Sequence, residues 1–210
     1  MLITKIEVQK RNKNRANLYL DDEFYCGLSV ETIMKNRIKE GLQIQKDTVD
    51  YLINQTEKEM ALNKAISYIS KCQKTKKEIH EYLLKKGFNE VISNEVIEKM
   101  QEYNFVNDDY YAKNYIKFKN KNSGKKKIEV ELKQKGVDEK IIKQATDKYI
   151  NDREYIVLVA KKYMKNKEYD IKNKQKAFRY LVSRGYQTED IKWALEQIFK
   201  KDEDDYECWY

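Results

Sequence analysis

Lysine collects at three places along this chain: Lys71, Lys74, Lys76 and Lys77; then Lys119, Lys121, Lys125, Lys126 and Lys127; then Lys165, Lys167, Lys172, Lys174 and Lys176. Ammonium groups massed in this way attract a polyanion, and clusters at a regular interval suit a periodic one, a nucleic acid or a filament. The middle cluster is the sharpest, because Lys117 to Lys127 contains no acid and includes Asn122-Ser123-Gly124. The candidate binding residues are therefore Lys74, Lys76, Lys77, Lys119, Lys121, Lys125, Lys126, Lys127, Lys172, Lys174 and Lys176. The plainer alternative is a solvated face of a lysine-rich protein. Tyr110, Tyr111, Tyr115 and Phe118 stand near the middle cluster, where rings beside lysines can stack on unpaired bases. Tyr111 and Tyr115 are four residues apart on a predicted helix, a spacing that more often marks a core.

Other chemistry has little to work with. His80 is the sole histidine, which excludes any mechanism or metal site that needs two imidazoles. Cys26, Cys72 and Cys208 are odd in number and far apart, so they are read as reduced structural thiols. Asp108-Asp109 is the most conspicuous acidic pair, but it follows Asn107 at a predicted helix start, where capping accounts for it. No two glycines stand close enough to cradle a phosphate. The chain is read as non-enzymatic, with no catalytic residue, metal or cofactor.

The net charge of +8 is unevenly placed. Residues 1–60 balance, and residues 201–210 carry one lysine against five acids, so the positive excess belongs to residues 61–200. The acidic and then aromatic tail, Asp202 to Tyr210, could cover that basic surface or occupy a basic pocket on a partner. No apolar stretch approaches the roughly 18 residues of a membrane span, and the amino end lacks the apolar run of a secretory signal. A cytosolic protein is expected.

The elements that must position these lysines are mostly helical, since proline is absent and there are only six glycines. Alternating residues predict strands near 2–9, 16–20 and 23–27, with Asp21-Asp22 taking the positive φ angles of a tight hairpin turn. Such a meander needs a helix over its apolar face. Ser29 is a plausible cap for a short helix over 30–36, and a helical pattern runs from about 46 to 72, with room for a break near Gln55 to Lys58.

Laid over itself, the chain repeats. Gly87, Gly136 and Gly185 are 49 residues apart, each follows a basic helical segment, and Leu83, Leu132 and Leu181 coincide in the same register. A glycine after lysine or arginine is the chemistry of a helix end. Thr75 with Glu78 forms a capping box at the start of the first such helix. After each glycine come one apolar residue (Phe88, Val137 or Tyr186) and a further helix, with buried positions at Val96 and Met100, Ala145 and Tyr149, and Ala194 and Ile198. First helices are expected at 57–71, 108–119 and 152–166. The expected architecture is mainly α: an elongated array of three tandem three-helix repeats with a small amino-terminal antiparallel β meander. Its parts are residues 1–56, repeats at 57–106, 107–150 and 151–200, and the tail at 201–210.

These features together resemble the RecX family, regulators of the recombinase RecA. The resemblance rests on Ile3-Thr4-Lys5-Ile6-Glu7, Leu18-Tyr19-Leu20-Asp21-Asp22-Glu23-Phe24 and Gly27-Leu28-Ser29, then Glu78-Ile79, Leu83 to Phe88 and Phe105-Val106-Asn107-Asp108-Asp109-Tyr110-Tyr111-Ala112. It spans residues 3 to 200 and departs from the family at Asp21-Asp22, where Asp-Gly is usual, and in a more divergent third repeat. It implies a curved chain of helical modules lying in the groove of the RecA–DNA filament, inhibiting strand exchange and ATP hydrolysis and modulating filament stability. The partners so implied are the RecA filament and single- or double-stranded DNA, with no membrane, for a protein acting as a monomer. The alternative is a sequence-independent nucleic-acid-binding helical repeat protein.

Overall fold

The structure, a computed structural model, describes residues 1–147 and 153–199. The expected burial of Tyr149 and the acidic tail lie outside these residues. The chain divides into two compact units, one of residues 1–74 and 78–106, the other of 75–77 with the residues from 107 onward.

The first unit opens with strands β1 (Ile3–Val8), β2 (Arg15–Leu20) and β3 (Glu23–Ser29), paired antiparallel in that order. Asp21 and Asp22 take φ of 49° and 73°, as the hairpin requires of them. The Asp21 carboxylate accepts the Leu2 N–H at 2.8 Å and the Asp22 N–H donates to Thr4 Oγ1 at 2.9 Å, which ties the turn to β1. Strand β2 buries alternate residues, Ala16, Leu18 and Leu20. With Ile3 and Leu28, this face is covered by Ile33 of helix α1 (Val30–Lys35) and by Val49 and Leu52 of α2 (Lys46–Ile69).

Ser29 caps α1 as expected, its hydroxyl accepting the Thr32 N–H at 2.8 Å. Helix α2 is unbroken through Gln55 to Lys58. The polar stretch that suggested a break has partners inside the fold. Buried Thr56 accepts the Ser29 N–H at 3.1 Å, and Glu59 accepts the hydroxyls of Ser29 and Thr32 and pairs with Lys35. A buried polar side chain thus reads as a helix interruption when its partners are out of sight.

Each three-helix copy repeats one plan. The second half of α2 packs with α3 (Lys76–Lys85) and α4 (Glu90–Glu102) around Ala61, Ala65, Ile79, Leu83, Val96 and Met100. In the second unit, α5 (Asp108–Lys119), α6 (Lys125–Gln134) and α7 (Glu139–Asp147) form one copy, and α8 (Arg153–Met164), α9 (Ile171–Ser183) and α10 (Thr188–Phe199) form another. Leu83, Leu132 and Leu181 are all fully buried, as their shared register predicts. Ala145 is only half-buried. Thr146 takes the buried position beside it, and its hydroxyl satisfies itself by donating to Glu129 at 3.1 Å.

The three phased glycines have φ of 90°, 78° and 81°. The residue after each donates its N–H five residues back, Phe88 to Leu83, Val137 to Leu132 and Tyr186 to Leu181, and the glycine donates to Leu84, Lys133 or Val182. This is the Schellman arrangement, which satisfies the last carbonyls of the helix.

Candidate functional site

Most of the candidate lysines do not project from loops, as the sequence suggested, but sit in the first turns of the second helix of each copy: Lys76 and Lys77 on α3, Lys125 to Lys127 on α6, and Lys172 and Lys174 on α9, with Lys176 following a turn later. Lysine sustains a helix well, so nothing local halts the helix before the cluster. Cations here oppose the helix dipole, and the uncompensated positive field favours an anion in front of them. Helix α6 has neither an acid in its first turn nor a side-chain cap.

These first turns also build junctions. Within the second unit, the Thr75 hydroxyl donates to the Lys135 carbonyl at 2.7 Å. The Lys76 N–H donates to the buried carboxylate of Asp108 at 3.0 Å. Asn107, not Asp108, caps α5, by accepting the Tyr110 N–H at 3.0 Å. Lys77 lays its alkyl chain against Gly136 and sets its ammonium 3.4 Å from the Gln134 carbonyl. The contact recurs 49 residues on. The Gly124 N–H donates to the Arg184 carbonyl at 2.8 Å, and Gly124 lies directly against the backbone of Gly185 and Tyr186.

The aromatic rings are shared between core and surface. Lys74 lies 4.9 Å over Tyr68, Lys119 5.4 Å over Tyr115 and Lys167 3.2 Å over Tyr163. Tyr68 stacks on Tyr82 at 4.1 Å and Tyr163 on Tyr180 at 4.3 Å. In the middle copy the corresponding partner is Glu131, which accepts the Tyr115 hydroxyl at 2.7 Å. Tyr111 and Tyr115 are half-buried and stack on one another at 5.9 Å, so they are unavailable as platforms for bases. Tyr110 and Phe118 are exposed.

Of the candidate residues, Lys119, Lys121 and Lys127 meet in one pocket of about 420 Å³. Lys117 and Arg184, which were not singled out as binding residues, complete it, with Glu131 as the carboxylate in the lining. Burial alone would raise the pKa of Glu131, but the Tyr115 hydroxyl and the Lys119 ammonium at 3.4 Å, with Lys127 further off, hold its carboxyl below the ordinary range. A carboxyl depressed in the folded chain contributes stability above its unfolded pKa and loses it as pH falls through the folded value. Burial, together with the same Glu131, pushes the Tyr115 phenol well up. Lys125 lies 3.9 Å from Glu129, and Lys126 is exposed. Lys172 and Lys176 are exposed, and Lys174 lies 5.1 Å over Phe199, lining a separate pocket with Phe178 and Arg179.

His80 is half-buried and sits 3.3 Å from the Glu90 carboxylate. No group of three or more metal-ligating side chains occurs among the described residues, nor does any helix there that is long and apolar enough to cross a membrane. Burial, partly offset by nearby Arg15, pushes the Cys26 thiol up to about 11, whereas Cys72 is exposed. Iodoacetamide at mildly alkaline pH is therefore expected to modify Cys72 well before Cys26, because the thiolate is the nucleophile and access is required. Peptide mapping over time checks this, and equal rates would contradict the burial of Cys26.

Family models for the RecX amino-terminal domain and the first, second and third RecX three-helix domains match residues 1–45, 61–100, 107–145 and 156–195. A regulatory protein RecX from Clostridium acetobutylicum is 38% identical over 95% of this chain and 97% of its own length. Another, from Clostridium perfringens, is 39% identical over 88% of this chain and 90% of its own. A crystal structure of regulatory protein RecX superposes with a TM-score of 0.72 at 21% identity, covering 95% of this chain and 98% of its own, so it shares the fold. RecX from Lactobacillus salivarius does so at 0.61 and 24% identity, over 67% of this chain and 96% of its own. Sequence and fold agree over nearly the whole length: this chain belongs to the RecX family of regulatory proteins.

Proposed function

We propose that this protein is a non-catalytic regulator, mainly an inhibitor, of the recombinase RecA. In this reading it binds in the groove of the RecA–DNA filament and modulates strand exchange, ATP hydrolysis and filament stability during recombination and repair. The observation that carries the reading is the recurrence of lysines at the start of the second helix in every copy, a cationic period suited to a periodic polyanion. Family membership supports the choice of RecA. The contact residues proposed on that surface are the exposed Lys121, Lys126, Lys172 and Lys176, with Lys74, Lys76, Lys77, Lys119, Lys125, Lys127 and Lys174 shaping it.

The test is DNA-dependent ATP hydrolysis by the cognate RecA with and without this protein. A dose-dependent fall is expected, and the Lys121→Glu/Lys126→Glu double variant is expected to need about tenfold more protein for the same inhibition, because reversing two interfacial charges inverts their attraction. Hydrolysis untouched by the parent protein would end the reading. The runner-up, direct sequence-independent binding to nucleic acid, is favoured by the cationic pocket. It predicts equal affinity for naked single strands and for filaments, whereas the leading reading predicts much tighter binding to filaments.

A further inference from the structure

The pocket between the α5–α6 connection and the end of α9 concentrates charge beyond what its neighbours share. Five cations, Lys117, Lys119, Lys121, Lys127 and Arg184, line it against one carboxylate, Glu131. That carboxylate is already engaged by the Tyr115 hydroxyl and the Lys119 ammonium, so its charge is largely met from within. Moved back by the 51 residues that superpose Ala61 and Ala65 on Ala112 and Ile116, Lys117 and Lys119 fall on Ile66 and Tyr68; moved back by 49, Lys127 and Arg184 fall on Glu78 and Lys135, so the other junction has a single cation and an acid at these positions. The charge is thus a property of this junction and not of the repeat. Lys127 belongs to the first turn of α6, whose uncapped positive end adds to the field.

Phe118 supplies the second observation. It lines the same pocket and is 78% exposed. A ring held in water beside five cations does nothing for packing, but it offers a flat face next to a seat for an anion. We propose that this pocket and Phe118 form a single-stranded nucleic-acid site, with a phosphodiester group among the cations and a base stacked on the Phe118 ring. An acidic peptide would use the cations and ignore the ring. The assignment deepens the proposed action on a nucleoprotein filament and rests on it only for the source of the strand.

The full chain is titrated into fluorescein-labelled oligothymidylate over a range of sodium chloride concentrations, with anisotropy as readout and circular dichroism as a check on folding. Lys117 and Lys121 are exposed, so Lys117→Glu/Lys121→Glu leaves the fold alone. It is expected to weaken binding about tenfold or more and to make the salt dependence shallower by about 1.4 in log–log slope, two phosphate contacts' worth. Phe118→Ala is expected to weaken binding about fivefold or more with the slope unchanged, because it removes stacking and not charge. A control, Lys10→Glu/Lys13→Glu on the exposed β1–β2 connection, should bind as the parent does.

Equal losses in the control would reduce the effect to a general field and overturn the assignment. A silent Phe118→Ala, with polyglutamate competing as well as unlabelled strand, would overturn it in favour of an acidic chain. The RecA assay separates the two readings. If the parent leaves RecA untouched while the oligonucleotide results hold, the filament reading fails and the pocket stands. If the parent inhibits RecA while the pocket variants bind strand normally, the pocket assignment fails and the filament reading stands.

Discussion

Gly124→Ala is expected to destabilise the second unit by about 3 kcal/mol or more, the upper range for forcing atoms into a packed interior. Gly124 has an ordinary φ of −79°, so no backbone penalty is involved. Its added methyl would overlap the carbonyl of Gly185 and approach Tyr186 N to 2.5 Å, and neither can swing aside because both are main chain. Gly87→Ala gives the contrast. That glycine has φ of 90° with nothing within 4 Å of an added Cβ, so alanine there should cost only the left-handed strain, about 1–2 kcal/mol. Gly185→Ala should cost more than Gly87→Ala, since at φ of 81° its methyl also meets Lys127 N, Cα and Cβ. Urea unfolding of the three variants measures the order. Equal losses at Gly87 and Gly185 would show that the close approach contributes nothing.

Leu132→Ala is expected to cost about 2–5 kcal/mol, the range for emptying a fully buried leucine site. Leu132 packs with Ala112, Ile116, Ile128, Val137 and Ile142 around one small core, and a helix of ten residues has little else to anchor it. The Gly124–Arg184 hydrogen bond ties this copy to the next, so in the otherwise unaltered protein the second and third copies should melt in one transition. Combined with Gly124→Ala, Leu132→Ala should split that transition into two, with the middle copy unfolding first. Calorimetry on the single and double variants is the measurement, and separate melting of the second and third copies already in the parent chain would refute the coupling.

What could be read from the chain itself was what repeats locally. The glycine phase marked all three helix ends, the leucine phase found three fully buried residues, and Asp21-Asp22 marked a hairpin whose two positive φ angles the structure displays. The helix ends depend on interactions within six residues, and spacing encodes those directly. The continuity of α2 was harder to see because Thr56 and Glu59 take their partners from Ser29 and Thr32, on another element. Thr146 displaced Ala145 as the buried residue for the same reason, its partner Glu129 lying on the preceding helix.

The pocket was half legible. Lys119, Lys121 and Lys127 belong to one conspicuous cluster, but Arg184 arrives from about 60 residues away, through a backbone contact that no side-chain pattern announces. Phe118 was visible as an aromatic near lysines, while its exposure, which separates it from Tyr111 and Tyr115, depends on which face of α5 meets α6 and α7. Basic residues at a helix start gave no boundary signal, so the clusters read as loops.

The seam between the second and third copies is main chain against main chain, at two residues that carry no side chain. Geometry and ligand preference are therefore written in different letters. Exposed positions such as Lys117, Phe118 and Lys121 lie away from the glycines on which the two copies close. An engineer wishing to graft a different specificity onto this pair of copies has two residues to leave untouched and a whole face to edit.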